Sequence, residues 1–276
     1  MNYLPLQRPY LPAGKTVPVL GEKHFMVMRY GPKKKYFLIS AKLKEQVGAL
    51  ADFTKILAIR GVDVLDGRIH VSEVPEGYFT LFVEASNPRV DAGFLKQMLN
   101  NSSFIESLTV TESRSGMIVD SVDFPLVSGD GRRSIVLTAD SARDLFSRAI
   151  DVWGKNAEDM VYQLGVDYGA DAWSGRIGGL VSDGESLQEY LRLYAAIGMG
   201  MVFVERFKQD VPSIEVSVER LFECEGVESP SPRSVFFRGV LAGIASLLFG
   251  REMVAREVAC VATGAKRCRF EISPKK

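Results

Sequence analysis

Cysteine is scarce: Cys224, Cys260 and Cys268 are the only three in 276 residues. So small and odd a number argues against a disulfide framework and makes the reducing cytoplasm the expected location. Histidine is scarcer, and His24 and His70 both fall in the N-terminal part. The C-terminal half therefore has no Ser–His or Cys–His couple of its own. Neither sign of charge is in excess, since Lys+Arg and Asp+Glu both number 34. No net field draws the chain to nucleic acid or to an anionic membrane. The local runs Lys33, Lys34, Lys35 and Arg132, Arg133 read as solvated turns. The start lacks the basic and apolar regions of a signal peptide, and the longest apolar run, near residues 240–249, is far short of the ~20 a spanning helix needs. G-x-G-x-x-G after a strand, a Walker loop and a G-x-S-x-G elbow are all missing, and no nicotinamide or flavin site is legible. Asp167, Asp171, Glu205 and Glu219 read as solvated acids. These absences point away from an enzyme.

What is present is ordinary globular material. The chain is 46% hydrophobic and 25% charged, with length for one large or two medium domains. Residues 1–34, rich in Pro, Gly and Lys, read as an N-terminal extension with room for one strand at 25–28. Residues 35–113 alternate between the two periods. A strand at 36–43 is followed by Val47, Leu50, Phe53, Ile56 and Leu57 at helical spacing, and Gly61 stands where that helix would end. A strand over 62–71 is interrupted at Asp66-Gly67. Residues 78–85 alternate, with Phe79, Leu81 and Val83 on one face. Phe94, Leu95, Met98 and Leu99 mark a second helix, and 105–111 a last strand. The order is βαββαβ, the ferredoxin-like arrangement.

On that order, and on Glu45-Gln-Val-Gly48-Ala-Leu50, this region resembles the ACT domain, a small regulatory module. The resemblance implies side-by-side pairing and an amino-acid effector near Gly48, where a helix N-terminus offers free N–H groups. That family often has proline just before the glycine; here Val47 stands there. From the residues alone Gly48 is equally a tight turn.

Residues 117–276 read as a second domain. Strands are expected at 118–124 and 134–137 around the turn at 128–131, followed by helices over 141–153, 157–173 and 186–196. Thr138–Ser141 and Ser182–Glu185 hold the N-caps. Gly198 and Gly200 break the pattern before 201–205, and 214–222 alternates as a half-buried strand. A helix follows in which Gly239, Gly243 and Ser246 form one small-residue stripe and apolar residues fill the other sides. Such a helix is buried, and its stripe admits another backbone or a ligand. The chain closes with a hairpin, 252–262 and 268–272, around Thr263-Gly-Ala265. Centring on Gly264 sets Cys260 opposite Cys268, at the ~4.5–5.5 Å Cβ spacing of a cross-strand pair. Two thiolates on one tetrahedral zinc lie roughly 3.8 Å apart, so the demands agree. Glu257, three residues before Cys260, would point to the other face of a regular strand, and a bulge or an early strand end is needed for both to meet one ion. Buried structural thiols are the alternative.

Gly239-x3-Gly243, Gly250, Glu257-x2-Cys260-x7-Cys268, and upstream Gly165-x3-Gly169, Gly184-Glu and Gly198-x-Gly200, together resemble the 4-vinyl reductase domain. That family includes a chlorophyll-pathway protein, archaeal proteins described as hydrocarbon-binding, and the sensors of phenol- and xylene-responsive activators. The resemblance implies zinc held by a glutamate, a cysteine three later, another eight beyond, and an upstream cysteine. The first three fall on Glu257, Cys260 and Cys268. The upstream position falls on Ser234, a poor ligand, so Cys224 is the candidate fourth. Such a site is structural, with no open position. Phenol sensors grip the hydroxyl with a histidine and a tryptophan, and the histidine is absent from this region. Trp153, Tyr162, Trp173, Phe203, Phe236 and Phe237 are the aromatic candidates for a ligand pocket.

The expected architecture is α+β: a ferredoxin-like ACT domain followed by a mixed α/β, 4-vinyl-reductase-like sensor. The expected function is a homodimeric, ligand-responsive regulator. It binds a small apolar or aromatic molecule and passes output to an unknown protein, with no direct nucleic-acid or membrane contact. The alternative is an accessory factor or enzyme of tetrapyrrole or hydrocarbon reduction, and a third reading is a purely structural adaptor.

Overall fold

The computed structural model describes residues 27–44, 47–71, 76–114, 116–128, 131–174 and 181–276. His24, Glu45, most of the expected strand at 25–28 and the centre of the turn at 128–131 lie outside them. The chain divides into two compact units, Met1–Leu126 and Val127–Lys276. No helix among the described residues is long and apolar enough to cross a membrane.

The first unit contains β1 (Met28–Tyr30), β2 (Tyr36–Lys44), α1 (Ala49–Ile59), β3 (Val62–Val71), β4 (Glu76–Ala85), α2 (Ala92–Asn100), β5 (Ile105–Glu112) and β6 (Met117–Val119). Strands β3-β4-β2-β5 form one antiparallel sheet in that spatial order, the ferredoxin-like arrangement. The expected interruption at Asp66-Gly67 is a register shift between Val64 and Asp66 inside one strand. Alternation fills the core: Phe37, Ile39, Phe79, Leu81 and Val83 meet Phe53, Leu57, Leu95 and Leu99 from the helices. Gly48 precedes α1 at φ +91°, a conformation that favours glycine, and an added Cβ there would meet nothing within 4 Å. It is an exposed turn whose carbonyl accepts the first helical bond, from Asp52 N.

One boundary moves. Residues 117–126 belong to the first unit, because β6 pairs with β1 rather than opening the second domain. Ile118 packs on Tyr36, Leu38 and Phe82, on the sheet face opposite the helices. The expected strand at 118–124 is thus only Met117–Val119. The stretch 134–137 is not a strand: Ile135, Val136 and Leu137 are exposed, and an isolated bridge between Val127 and Arg133 is the only pairing near it among the described residues.

The second unit runs α3 (Ala139–Trp153), α4 (Lys155–Ser174), α5 (Gly184–Ala196), β7 (Met201–Lys208), β8 (Ser213–Glu219), α6 (Val235–Phe249), β9 (Met253–Ala259) and β10 (Cys268–Pro274). Its sheet is antiparallel in the order β7-β8-β10-β9. The expected caps are real. Thr138 Oγ1 accepts from Ser141 N, and Asp183 accepts from Glu185 N and Ser186 N in a reciprocal capping box. Helix α6 is buried along ten positions, as an all-round apolar helix must be.

The small-residue stripe of α6 meets a second stripe on α4. A Cβ on Gly239 would sit 2.1 Å from Tyr162 O, and one on Gly243 2.1 Å from Val166 O. Reciprocally, Gly165 faces Phe236 O at 2.1 Å and Gly169 faces Val240 O at 2.3 Å. The two helices touch backbone to backbone, which only glycine permits. Ser246 closes the stripe differently: its hydroxyl donates to Ala242 O at 2.7 Å and accepts from Met253 N at 2.9 Å, tying α6 to the start of β9.

Candidate metal centre

The hairpin turns less simply than the expected three-residue loop. Strand β9 ends at Ala259, and Val261–Thr263 form a single 3₁₀ turn in which Cys260 O accepts from Thr263 N and Ala265 N. Ala259 pairs with Arg269, but Glu257 pairs with Phe270, so Val258 is an extra residue in a β-bulge. Bulge and early strand end are the two devices that let side chains three apart reach the same place. Glu257 and Cys260 do so here.

Cys268 opens β10, the strand between β8 and β9, opposite Val218. Cys224 comes from the turn after β8, where Cys224 N and Glu225 N both donate to Leu221 O. One donor atom from each of Cys224, Glu257, Cys260 and Cys268 lies within 4.8 Å of every other. The Cys224 and Cys260 sulfurs are 3.6 Å apart, close to the ~3.8 Å between two thiolates on one zinc. Val261 N donates to Cys268 Sγ at 3.4 Å, a bond that favours a thiolate. All three cysteines are fully buried and free of disulfides.

The electrostatics fit a cation. Three thiols this close cannot ionise independently. Hydrogen bonds from Cys224 and then Cys268 pull the Cys260 thiol down, and the bond to Cys260 pushes Cys224 up. Burial raises the Glu257 carboxyl to about 7. Its Oε1 is buried and accepts no hydrogen bond, and the buried Ser234 hydroxyl beside it makes none of good geometry. An orphaned carboxylate oxygen among three thiols is a donor set awaiting a partner. Three sulfurs and one oxygen suit a thiophilic tetrahedral ion such as zinc, and would leave it no open position for a substrate.

Ser234, at the position where metal-bearing relatives of the resembled family carry cysteine, is the residue before α6 and does not cap it. Glu223 does so instead. Its two oxygens accept from Phe236 N at 2.9 Å and Phe237 N at 2.8 Å, both bonds buried. Burial raises its carboxyl to about 8, against the pull of those two amides. The loop that delivers Cys224 is thereby fastened to the N-terminus of α6. Sequence reading missed Glu223 because its partners lie well ahead in the chain. The one available signal was an acid between two residues, Phe222 and Cys224, that were expected to be buried.

The six aromatic candidates separate. Trp173 and Phe237 join one continuous row through Tyr190 and Tyr194, with successive ring centroids 4.9, 6.4 and 5.6 Å apart, and Phe237 continues to Phe270 at 6.2 Å. Phe236 belongs to another group, stacked on Phe146 at 4.8 Å and touching Tyr168 and Phe222. Tyr162 lies under Arg238, and Phe203, on edge strand β7, lies under Arg267. Trp153 ends α3 and is 67% exposed, so it is no part of a buried pocket. An open depression of about 770 Å³ lies beside the metal loop, between residues 226–230 and 261–264. None of the six aromatics lines it.

Residues 214–274, which hold all four candidate ligands, match the vinyl-4-reductase domain family, the family that the C-terminal motifs resemble. Solved structures similar to this chain include the phenol-responsive sensory domain of the transcription activator PoxR with phenol, at 25% identity and a TM-score of 0.45, over 52% of this chain and 77% of that one. Another is a vinyl-4-reductase family protein from Methanocaldococcus jannaschii, at 22% identity and 0.38, over 52% and 85%. A third is trafficking protein particle complex subunit 3 from Naegleria fowleri covalently bound to palmitic acid, at 10% identity and 0.39, over 50% and 95%. No curated protein matches the sequence.

Proposed function

We propose that residues 127–276 are a sensory unit that takes a small apolar or aromatic molecule, stabilised by one zinc ion on Cys224, Glu257, Cys260 and Cys268. The observation that carries the reading is the convergence of those four donors, within 4.8 Å of one another, inside the segment that matches the vinyl-4-reductase domain. The ion would staple the β8 turn to the β9–β10 hairpin and, through Glu223, to α6. Helix α6 supplies Phe236 and Phe237, each part of an aromatic group, and these with Trp173 are the residues best placed to border a ligand. The unit is regulatory rather than catalytic, because four protein donors leave the ion no coordination site to offer. The chain works as a homodimer and hands its signal to a separate protein. The first unit, ferredoxin-like in topology, serves pairing or effector binding.

The test is thermal unfolding of the zinc-loaded chain against a panel of single-ring phenols, aromatic hydrocarbons and fatty acids. A bound member raises the melting temperature in proportion to the logarithm of its excess over Kd. Failure of every class, with native mass spectra free of retained small molecules, overturns the sensory reading. Turnover of a reduced nicotinamide, or a co-purified flavin, would instead support the enzymatic alternative.

A further inference from the structure

The helices α3 and α4 present an apolar face that nothing among the described residues of the second unit covers. Helix α3 is amphipathic, yet none of its fifteen residues is buried. Leu145 and Val152, two turns apart, form one exposed stripe on it, and Trp153 ends it. Gly154 alone separates α3 from α4, and the two helices pack on each other. On α4, Met160 and Leu164 form a matching exposed stripe at i, i+4 spacing. The segment leading into α3 adds Ile135, 79% exposed. That segment is held toward α4 by the ion pair of Arg132 with Asp171, at 2.7 Å. These six side chains are each about half exposed or more. With 150–250 Å² for a whole large side chain, they offer on the order of 700 Å² of apolar surface. A monomer's largest apolar patch is usually about 300–600 Å², and each partner of a standard interface contributes about 800 Å².

The charges around the patch narrow the occupant. Helices α3 and α4 carry seven acids against three basic residues. An interfacial membrane helix needs Lys and Arg on its polar face, and nucleic acid needs a basic surface, so both are repelled. We infer that this face is where a second copy of the chain docks, α3 and α4 of one protomer against those of its partner. The inference rests on the pairing proposed above and adds the surface. It is independent of the ligand and of zinc.

The experiment is light scattering and native mass spectrometry of the full chain at micromolar concentration, with zinc present throughout. Wild type is expected to be dimeric. Trp153→Asp combined with Leu164→Asp is expected to raise the dimer dissociation constant by roughly 100-fold or more, with unchanged far-UV circular dichroism. Val211→Asp, at an exposed apolar position between β7 and β8, is expected to stay dimeric. If the double variant fails to fold, Leu164→Ser alone should still raise the constant by about tenfold. A dimer of wild-type strength in folded α3–α4 variants refutes this surface while leaving pairing intact. A wild-type monomer refutes both.

Discussion

Replacing Gly243 with alanine tests the backbone-to-backbone contact of α4 and α6. The new Cβ would lie 2.1 Å from Val166 O, 3.0 Å from the Val166 carbonyl carbon and 3.1 Å from Ala170 N. All three are main-chain atoms of a helix, so no side chain can swing aside. The helices must part by about 1 Å, which forfeits a quarter to a half of the dispersion energy of the atoms that separate. Overpacking of this kind costs about 1–3 kcal/mol or more, offset by up to about 1 kcal/mol because alanine is the better helix former. The expected net destabilisation is about 2 kcal/mol. Both tryptophans, Trp153 and Trp173, lie in the second unit, so tryptophan fluorescence during urea unfolding reports that unit alone. With a urea slope near 2 kcal/mol/M, the midpoint should fall by about 1 M at fixed zinc concentration. A midpoint equal to or above wild type would refute the close-packed seam.

Three further outcomes follow from the same structure. Glu223→Ala strands the buried amides of Phe236 and Phe237, and should destabilise the second unit by about 2–4 kcal/mol. Hydrogen exchange should locate the loosening at those two amides, and Glu223→Gln, which keeps a carbonyl acceptor, should lose less. Asp183→Ala removes the α5 cap and should cost about 1 kcal/mol, read by the same urea titration. Chelation of zinc should lower the melting temperature of wild type but not of Cys260→Ser, because only the wild type has the full donor set to lose.

How far the sequence could be read depended on the range of the interaction. The first unit was legible almost element by element, because alternation and helical spacing are local and Phe37, Phe53, Phe79 and Leu95 fall where those periods put them. Opposition of Cys260 and Cys268 followed from hairpin symmetry, and even the need for a bulge before Cys260 was visible in the odd separation from Glu257. What escaped were long-range partners. The α6 stripe was evident, but its match to Gly165 and Gly169 needed the third dimension. Ile135, Val136 and Leu137 have the composition of a strand and lack a neighbouring edge, so β-propensity alone misplaced them. Met117–Val119 went to the wrong unit because its partner, β1, lies far back in the chain. Trp153 was expected among ligand-facing residues for its size, but its position at the end of α3 exposes it.

The most direct test of the central claim is the metal content of the chain purified without added metal. The convergence of Cys224, Glu257, Cys260 and Cys268 predicts about one zinc per chain by elemental analysis, lost in Cys260→Ser together with several degrees of melting temperature. Less than about one-tenth equivalent in wild type, with Cys260→Ser melting at the same temperature, would contradict the metal centre and leave the three cysteines as buried core thiols.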